Sequence, residues 1–329
     1  MPSPLHDRDK QLYTVSDLLS WTPSKQYRII SEGVLNIKNR MLIFGDEGSW
    51  KSILALHTAH CVARGSKWLG FKTYPANVLR LQAELPMYTD RERLDKYCSA
   101  SKQIYIARDG HTSISSEELD RLDARATDWA YPEHYITRTE QFIHIDESSG
   151  WESLKKNIYN CIDLLPKLPL LVILDPLFKM FNRDLSSEVD MKPMLDKIDI
   201  IMDEVTNPRI CPDPILGISF IIVHHTRKAH IDEQGRPVSM GSQDATGSRA
   251  LLRWVDTILR IDPVPSDSTM TKVTARFTKH RNAEEVLPTL VIKWNRDTLH
   301  PQILSRLLPH YEDEEELELR GELDIAQLE

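Results

Sequence analysis

Directly after the apolar run Met41–Phe44 stands Gly45-Asp46-Glu47-Gly48-Ser49-Trp50-Lys51-Ser52, and a segment with helical periodicity follows it. A strand that turns sharply into a helix N-terminus offers an anion backbone N–H groups and the positive end of the helix dipole. Lys51 adds a point charge and the Ser52 hydroxyl a ligand for magnesium, so Gly45–Ser52 reads as a phosphate-binding loop. The sequence meets the pattern G-x-x-x-x-G-K-[ST] except at Trp50, which stands where the second glycine is expected. An indole there restricts close backbone approach, and Asp46 and Glu47 bring unfavourable negative charge. The competing account is a strand–turn–helix that binds no nucleotide.

Further acids and bases end other apolar runs. Leu171-Val172-Ile173-Leu174-Asp175-Pro176 is the pattern of a buried strand that delivers one carboxylate to the C-terminal edge of a sheet, where Asp175 would hold magnesium with Ser52. Leu79-Arg80-Leu81-Gln82-Ala83-Glu84 places Glu84 where a base would orient water on a terminal phosphate. Ile221-Ile222-Val223-His224-His225-Thr226-Arg227-Lys228 ends in imidazoles and cations. A polar side chain there would sense the same phosphate. Each acid has a plain structural reading as an ordinary strand end. A zinc reading is weaker, because adjacent His224 and His225 should point to opposite faces of a strand. His57, His60 and Cys61 have helical spacing but no nearby carboxylate.

Residues 227–249 form a polar stretch with Gly235, Gly241 and Gly247, lying between two apolar strands. It reads as a long surface loop. Its cations Arg227, Lys228, Arg236 and Arg249 suit a phosphodiester backbone, although Asp232, Glu233 and Asp244 offset part of the field. Lys279-His280-Arg281-Asn282 closes a later strand. It is either a solvated turn or an element that reaches a neighbouring subunit's nucleotide.

These groups need a frame that brings strand ends together. Apolar runs at Met41–Phe44, Val78–Ala83, Ile104–Ile106, Phe142–Ile145, Leu170–Leu174, Ile218–Val223 and Val255–Ile261 read as strands. Helical periodicity at Ser52–Arg64, Trp151–Leu165 and Glu188–Glu204 alternates with them. That order predicts an α/β fold, a mainly parallel twisted sheet flanked by helices. Lys272–Thr278 and Pro288–Trp294 have no helix between them and predict an antiparallel edge hairpin.

The chain of 329 residues, 41% of them hydrophobic, suffices for a large core, and its longest apolar runs are too short to cross a bilayer. Cys61, Cys98, Cys161 and Cys211 form no CxxC pair, so a disulfide framework is disfavoured and a reducing cytoplasm is expected. The net charge of −8 resides in residues 312–329, which hold nine acids and one arginine, leaving the rest near zero. Acidity of the whole therefore does not exclude a nucleic-acid partner. The tail is a solvated end, or it docks a partner or competes with DNA. The expected organisation is an N-terminal segment over 1–36, a core over 37–300 and an acidic tail over 301–329. Leu18, Leu19 and Trp21 in the first segment would pack on the core or on a neighbouring subunit.

The order of Gly45–Ser52, the strand ending in Glu84, LVILDP, IIVHHTRK, Ala245–Ile261 and Phe277–Asn282 resembles the RecA-like P-loop ATPases of the RepA hexameric-helicase type, with their phage relatives. The likeness runs over about residues 30–295. It implies ATP and Mg2+ as cofactors, Lys51 and Ser52 as the Walker A pair, Asp175 as the Walker B acid, Glu84 as catalytic glutamate and His225 as sensor. Lys279 and Arg281 fall where such motors carry a K-x-R element that enters the adjacent protomer's site. The family implies ATP hydrolysis in a ring or filament around DNA, single-stranded by expectation, in a cytoplasm (the host's for a phage gene). Helicase or annealing ATPase is the implied activity. The alternative is a non-hydrolysing DNA-binding or helicase-loading protein with a degenerate loop.

Overall fold

The computed structural model describes residues 14–20, 28–108, 135–139, 143–165, 168–207, 215–225, 230–231, 237–238, 249–264 and 271–308. The helices are α1 (Val15–Ser20), α2 (Lys51–Arg64), α3 (Met87–Arg108), α4 (Ser148–Leu164), α5 (Glu188–Glu204) and α6 (Arg249–Trp254). The strands of the parallel region are β3 (Arg40–Gly45), β4 (Asn77–Gln82), β5 (Tyr135–Thr139), β6 (Leu170–Asp175), β7 (Ile218–His225) and β10 (Thr257–Val264). Antiparallel pieces are β1 (Arg28–Ile30) with β2 (Leu35–Asn36), β8 (His230–Ile231) with β9 (Pro237–Val238), and β11 (Thr271–His280), β12 (Thr289–Trp294) and β13 (Pro301–Leu307).

Among the described residues, nine strands form one sheet in the order β13-β12-β11-β10-β3-β7-β6-β4-β5. Neighbours from β10 through β5 run parallel, and β11, β12 and β13 add an antiparallel edge. Strands buried on both faces feed two cores in alternation. Met41 and Ile43 join the cluster beneath α2, whereas Leu42 and Phe44 join the one beneath α4 and α5. Leu171 and Ile173 against Val172 and Leu174 repeat the pattern in β6. Helix α2 is covered nearly all round, and Gly65 ends it in the left-handed region at φ 66.

Several elements depart from the reading of the sequence. Ile104–Ile106 lies inside α3, not in a strand. A short apolar run cannot tell strand from buried helix, and the 22-residue helical context prevails. Residues 143–145 form no strand either, and Tyr135–Thr139 takes the place beside β4. Ile143 and Ile145 are buried all the same, with the Ile145 N–H donating to Met180 O at 2.8 Å. The run signalled burial, which does not require a strand.

Residues 28–36 are not a loose preamble, because Ile29, Ile30, Val34 and Leu35 belong to the core. Residues 301–307 likewise form the last edge strand instead of tail. Leu19 of α1 is 81% exposed and so is not packed on the core, while Trp21 and residues 309–329 lie outside the described residues. Within the stretch expected to be a plain surface loop, β8 and β9 pair as a small hairpin.

Among the described residues no helix is long and apolar enough to cross a membrane. Cys61, Cys98 and Cys161 are free and buried, and burial raises their thiols to about 12, 11 and 11. Behind α2, His57 Nδ1 lies 2.6 Å from Tyr97 Oη, and the Tyr97 ring stacks on His300 at 4.1 Å. Burial, and then the neighbouring His300 and His60, push His57 down to about 3. The unfolded chain therefore takes up a proton between pH 6.5 and 3 that the folded one refuses, so stability drops as pH falls through that window. This group should contribute a slope of up to about 1.4 kcal/mol per pH unit. Urea midpoints measured across a pH series should show the acid decline, and His57→Gln should flatten it. Identical slopes for the two proteins would contradict the assignment.

Candidate functional site

Strand β3 ends at Gly45 and α2 starts at Lys51, so residues 46–50 make the turn between them. A Cβ on Gly45 would lie 2.1 Å from Ile261 O, so the approach of β10 requires glycine there. Ser49 closes the turn, its N–H and Oγ–H both donating to Asp46 O at 3.2 and 2.7 Å. Gly48 and Trp50 adopt φ values of 78 and 66. For an L-residue the left-handed conformation costs about 1–2 kcal/mol, which is the physical reason for glycine at the second of these positions in the usual pattern. In this chain, packing offsets the cost. The Trp50 indole stacks on Trp294 of β12 with centroids 5.7 Å apart and planes 10° from parallel, and it packs against the α2-side core. The ring is a wall of the adjoining cavity and does not plug it.

That cavity, about 460 Å³, is lined by Glu47, Gly48, Trp50, Lys51, Ser52 and Ile53, by Glu84, Leu85 and Arg93, and by Pro176, Val223, His225 and Leu299. It lies at the C-terminal ends of β3, β4, β6 and β7, where an open α/β sheet offers a ligand crevice. Lys51 is nearly buried and folds across the loop, donating to Asp46 O and, at 3.1 Å, to Ser49 Oγ. Burial lowers its ammonium to about 8, with Asp46, Asp175, Glu84 and Glu47 acting against the fall.

The Ser52 hydroxyl donates to Asp175 Oδ1 at 2.8 Å. Asp175 has no solvent exposure. Burial raises its carboxyl, opposed chiefly by the Arg80 guanidinium and the Ser52 hydrogen bond. Arg80 NH2 lies 3.4 Å from Asp175 Oδ2, while its NH1 reaches both oxygens of Asp90 at 2.9 and 3.1 Å. Glu84 follows β4 by two residues, and Gln82 Oε1 fixes the bend by accepting from the N–H groups of Glu84 and Leu85 at 3.1 and 2.7 Å. His225 ends β7 with its ring 4.8 Å from that of Phe178. Burial lowers it, as does the Lys51 charge. His224 is fully buried on the other face, as strand alternation requires.

The fold thus gathers Lys51, Ser52, Glu84, Asp175 and His225, which are spread over 175 positions of sequence, around one crevice edge. A hydroxyl, a carboxylate, a lysine and a helix N-terminus can bind a polyphosphate with a hard cation, and Glu84 can accept a proton beside it. Lys279 and Arg281 do not line this cavity. Lys279 Nζ donates to Leu252 O, Arg253 O and Val255 O at 2.6, 3.2 and 2.5 Å, and Arg281 NH2 donates to Arg253 O at 2.8 Å. Burial, and then Arg281, lower the Lys279 ammonium. Arg249 is exposed at the start of α6, and Arg227, Lys228 and Arg236 lie outside the described residues. The sequence reading missed Arg93, Leu299 and Trp294, for which no local pattern speaks. It also gave Arg80 no role, although a charge inside the apolar run of β4 does signal a buried partner.

A mainly parallel sheet carrying this loop and these strand-end groups defines the RecA-like P-loop ATPase fold. The model of the AAA domain family matches residues 4–230, and the chain belongs to that family. Among solved structures, one described as an ATPase domain is 14% identical, with a TM-score of 0.51 over 81% of this chain and 85% of that one. A DnaB-like replicative helicase is 14% identical with a TM-score of 0.47, covering 84% of this chain and 59% of its own. A KaiC-like protein, PH0186 from Pyrococcus horikoshii OT3, is 9% identical with a TM-score of 0.44, covering 86% and 99%. The chain thus spans about three fifths of the DnaB-like protein. No curated protein matches it.

The left-handed backbone and the indole stack at Trp50 make separable contributions. Trp50→Ala removes the stack and keeps the strain, whereas Trp50→Gly removes both. The glycine variant should therefore be more stable than the alanine variant by about 1 kcal/mol in urea unfolding. Equal stabilities would contradict the account of the turn.

Proposed function

We propose that this protein is an ATP-hydrolysing RecA-like motor that self-associates and acts on DNA, of the RepA hexameric-helicase type or its phage annealing relatives. The observation that carries the reading is the Ser52–Asp175 hydrogen bond at 2.8 Å beside Lys51, with Glu84 and His225 on the same crevice. In this reading the backbone N–H groups of residues 48–52 and the Lys51 ammonium receive the β- and γ-phosphates. Lys51 then exchanges its hold on Asp46 O for phosphate oxygen.

The donor set fits magnesium, since it consists of hard oxygens from one hydroxyl and one carboxylate. With its proton committed to Asp175, the Ser52 hydroxyl keeps its lone pairs free for the ion. The ion, when bound, neutralises phosphate charge and fixes the polyphosphate geometry. Glu84 orients the attacking water and accepts its proton, and His225 reads the γ-phosphate at the end of β7. The Lys279–Arg281 element belongs to the interface with a neighbouring copy. Arg227, Lys228, Arg236 and Arg249 would contact phosphodiesters, with DNA, single-stranded in the first instance, as partner. The motor core would comprise residues 28–307, flanked by a short N-terminal segment and the acidic tail, which would dock a protein partner.

Phosphate release measured with and without single-stranded DNA tests the reading. Lys51→Ala should abolish turnover. Glu84→Gln should lower kcat by at least about 10²-fold while leaving nucleotide affinity within a few fold. Unchanged turnover in either variant would remove the site assignment. Arg281→Ala should keep nucleotide affinity and lose the part of turnover that rises with protein concentration. Binding without any turnover in the unaltered protein would leave the non-hydrolysing loader as the function, and a forked-duplex assay separates unwinding from annealing.

A further inference from the structure

Strand order gives the crevice two unlike ends. Asp175 and His225 end β6 and β7, and Glu84 follows β4, so all three lie on one side of β3 and its phosphate loop. On the other side β11 runs antiparallel to β10, and β12 antiparallel to β11, so the end of β12 returns to the same edge of the sheet as the end of β3. That end is Trp294, and Leu299 lies in the turn that follows it. Trp50, Ile53 and Leu299 line the cavity, and all three pack with Trp294 in the α2-side core. The charged groups and the aromatic wall thus stand on opposite sides of Lys51 and Ser52.

The wall is ordered before any ligand arrives. Trp294 is buried and covers one face of the Trp50 indole, in the near-parallel stack already described. His57 meets Trp294 edge-on, with centroids 6.3 Å apart and planes at 87°, and its Nδ1 lies 2.6 Å from Tyr97 Oη. Trp50 itself is only half-buried and holds its left-handed backbone to stand there. Strain of that kind collects at ligand sites. A ring fixed in this way loses little freedom when a second planar group stacks on it.

We propose that Trp50 is the platform on which the base of a nucleoside triphosphate stacks, as the outermost ring of a column backed by Trp294 and His57. The inference rests on the nucleotide site given under Proposed function and deepens it. A polyphosphate held by Lys51, with its cation between Ser52 and Asp175, points its nucleoside end at the wall on the β12 side. The residue that departs from the usual loop pattern thereby binds the base and does not obstruct the phosphates. Stacking of one base on an aromatic side chain is worth roughly five- to 150-fold in affinity.

Calorimetry on the full chain with Mg2+ compares ATP with inorganic tripolyphosphate, which has no base. Trp50→Leu should weaken ATP about tenfold and Trp50→Phe by about threefold at most, with tripolyphosphate changed by no more than about twofold in either. Trp50→Gly, which restores the ordinary loop residue, should weaken ATP as well. Tighter ATP binding in that variant would show the indole to be an obstruction and overturn the proposal, as would equal changes for the two ligands in Trp50→Leu. ATP should also quench the tryptophan emission of the unaltered protein where tripolyphosphate does not, and Trp50→Phe should lose that quench. A quench that persists in Trp50→Phe counts against the platform, and this arm decides the matter if Trp50→Leu does not fold. Should the unaltered protein bind neither ligand, the nucleotide site itself fails. Binding of ATP that is indifferent to all three substitutions removes the platform alone and leaves the nucleotide site standing.

Discussion

A carboxylate with no solvent exposure stands where the phosphate loop meets the sheet, beyond the reach of bulk water that would otherwise stabilise its charge. Asp175 is instead held by the Ser52 hydroxyl on one oxygen and the Arg80 guanidinium on the other. Removing one partner from a buried ionic group leaves the rest uncompensated, so such a group imposes strict geometry on its neighbours. Ser52 fixes the first turn of α2 against β6, and Arg80 fixes β4, which ends two residues before Glu84. Through Asp90 the same guanidinium holds the first turns of α3. One charge thereby sets the positions of the loop, the Ser52–Asp175 pair and Glu84.

The phosphate loop shows how packing can replace a sequence preference. Glycine is the ordinary residue for a left-handed position because it has no Cβ to clash. Trp50 adopts that conformation nevertheless, since its indole gains a stacked partner in Trp294 and core contacts along α2. The antiparallel edge strands therefore do more than extend the sheet. They support the turn that faces the crevice, and through Leu299 they supply part of its wall.

The same edge carries the cations at its other end. Lys279 and Arg281 sit on α6 and Asp256 and contribute nothing to their own chain's crevice. In the function proposed above, each chain would supply the loop to one nucleotide and a cation to the next. Buried polar atoms that already have partners stay where they are, and those with spare donors take part in new contacts.

Much of this was written locally. The glycine at 45, the Lys51–Ser52 pair and the acids ending apolar runs are legible because a loop between strand and helix and a buried strand each have their own short-range pattern. Parallel order and the antiparallel edge follow from the spacing of those runs. Errors arose where a three- or four-residue apolar run stood alone, at Ile104–Ile106 and Phe142–Ile145, because hydrophobicity reports burial and leaves the backbone open. Contacts between elements decided the rest. The pairing of Arg80 with Asp90 and Asp175, the Trp50–Trp294 stack and the seat of Lys279 on α6 join residues 10, 95, 244 and 24 to 27 positions apart. Local patterns encode turns and helices because those close over a few residues. Which buried charge meets which partner is set only when the sheet brings distant strands to their neighbours.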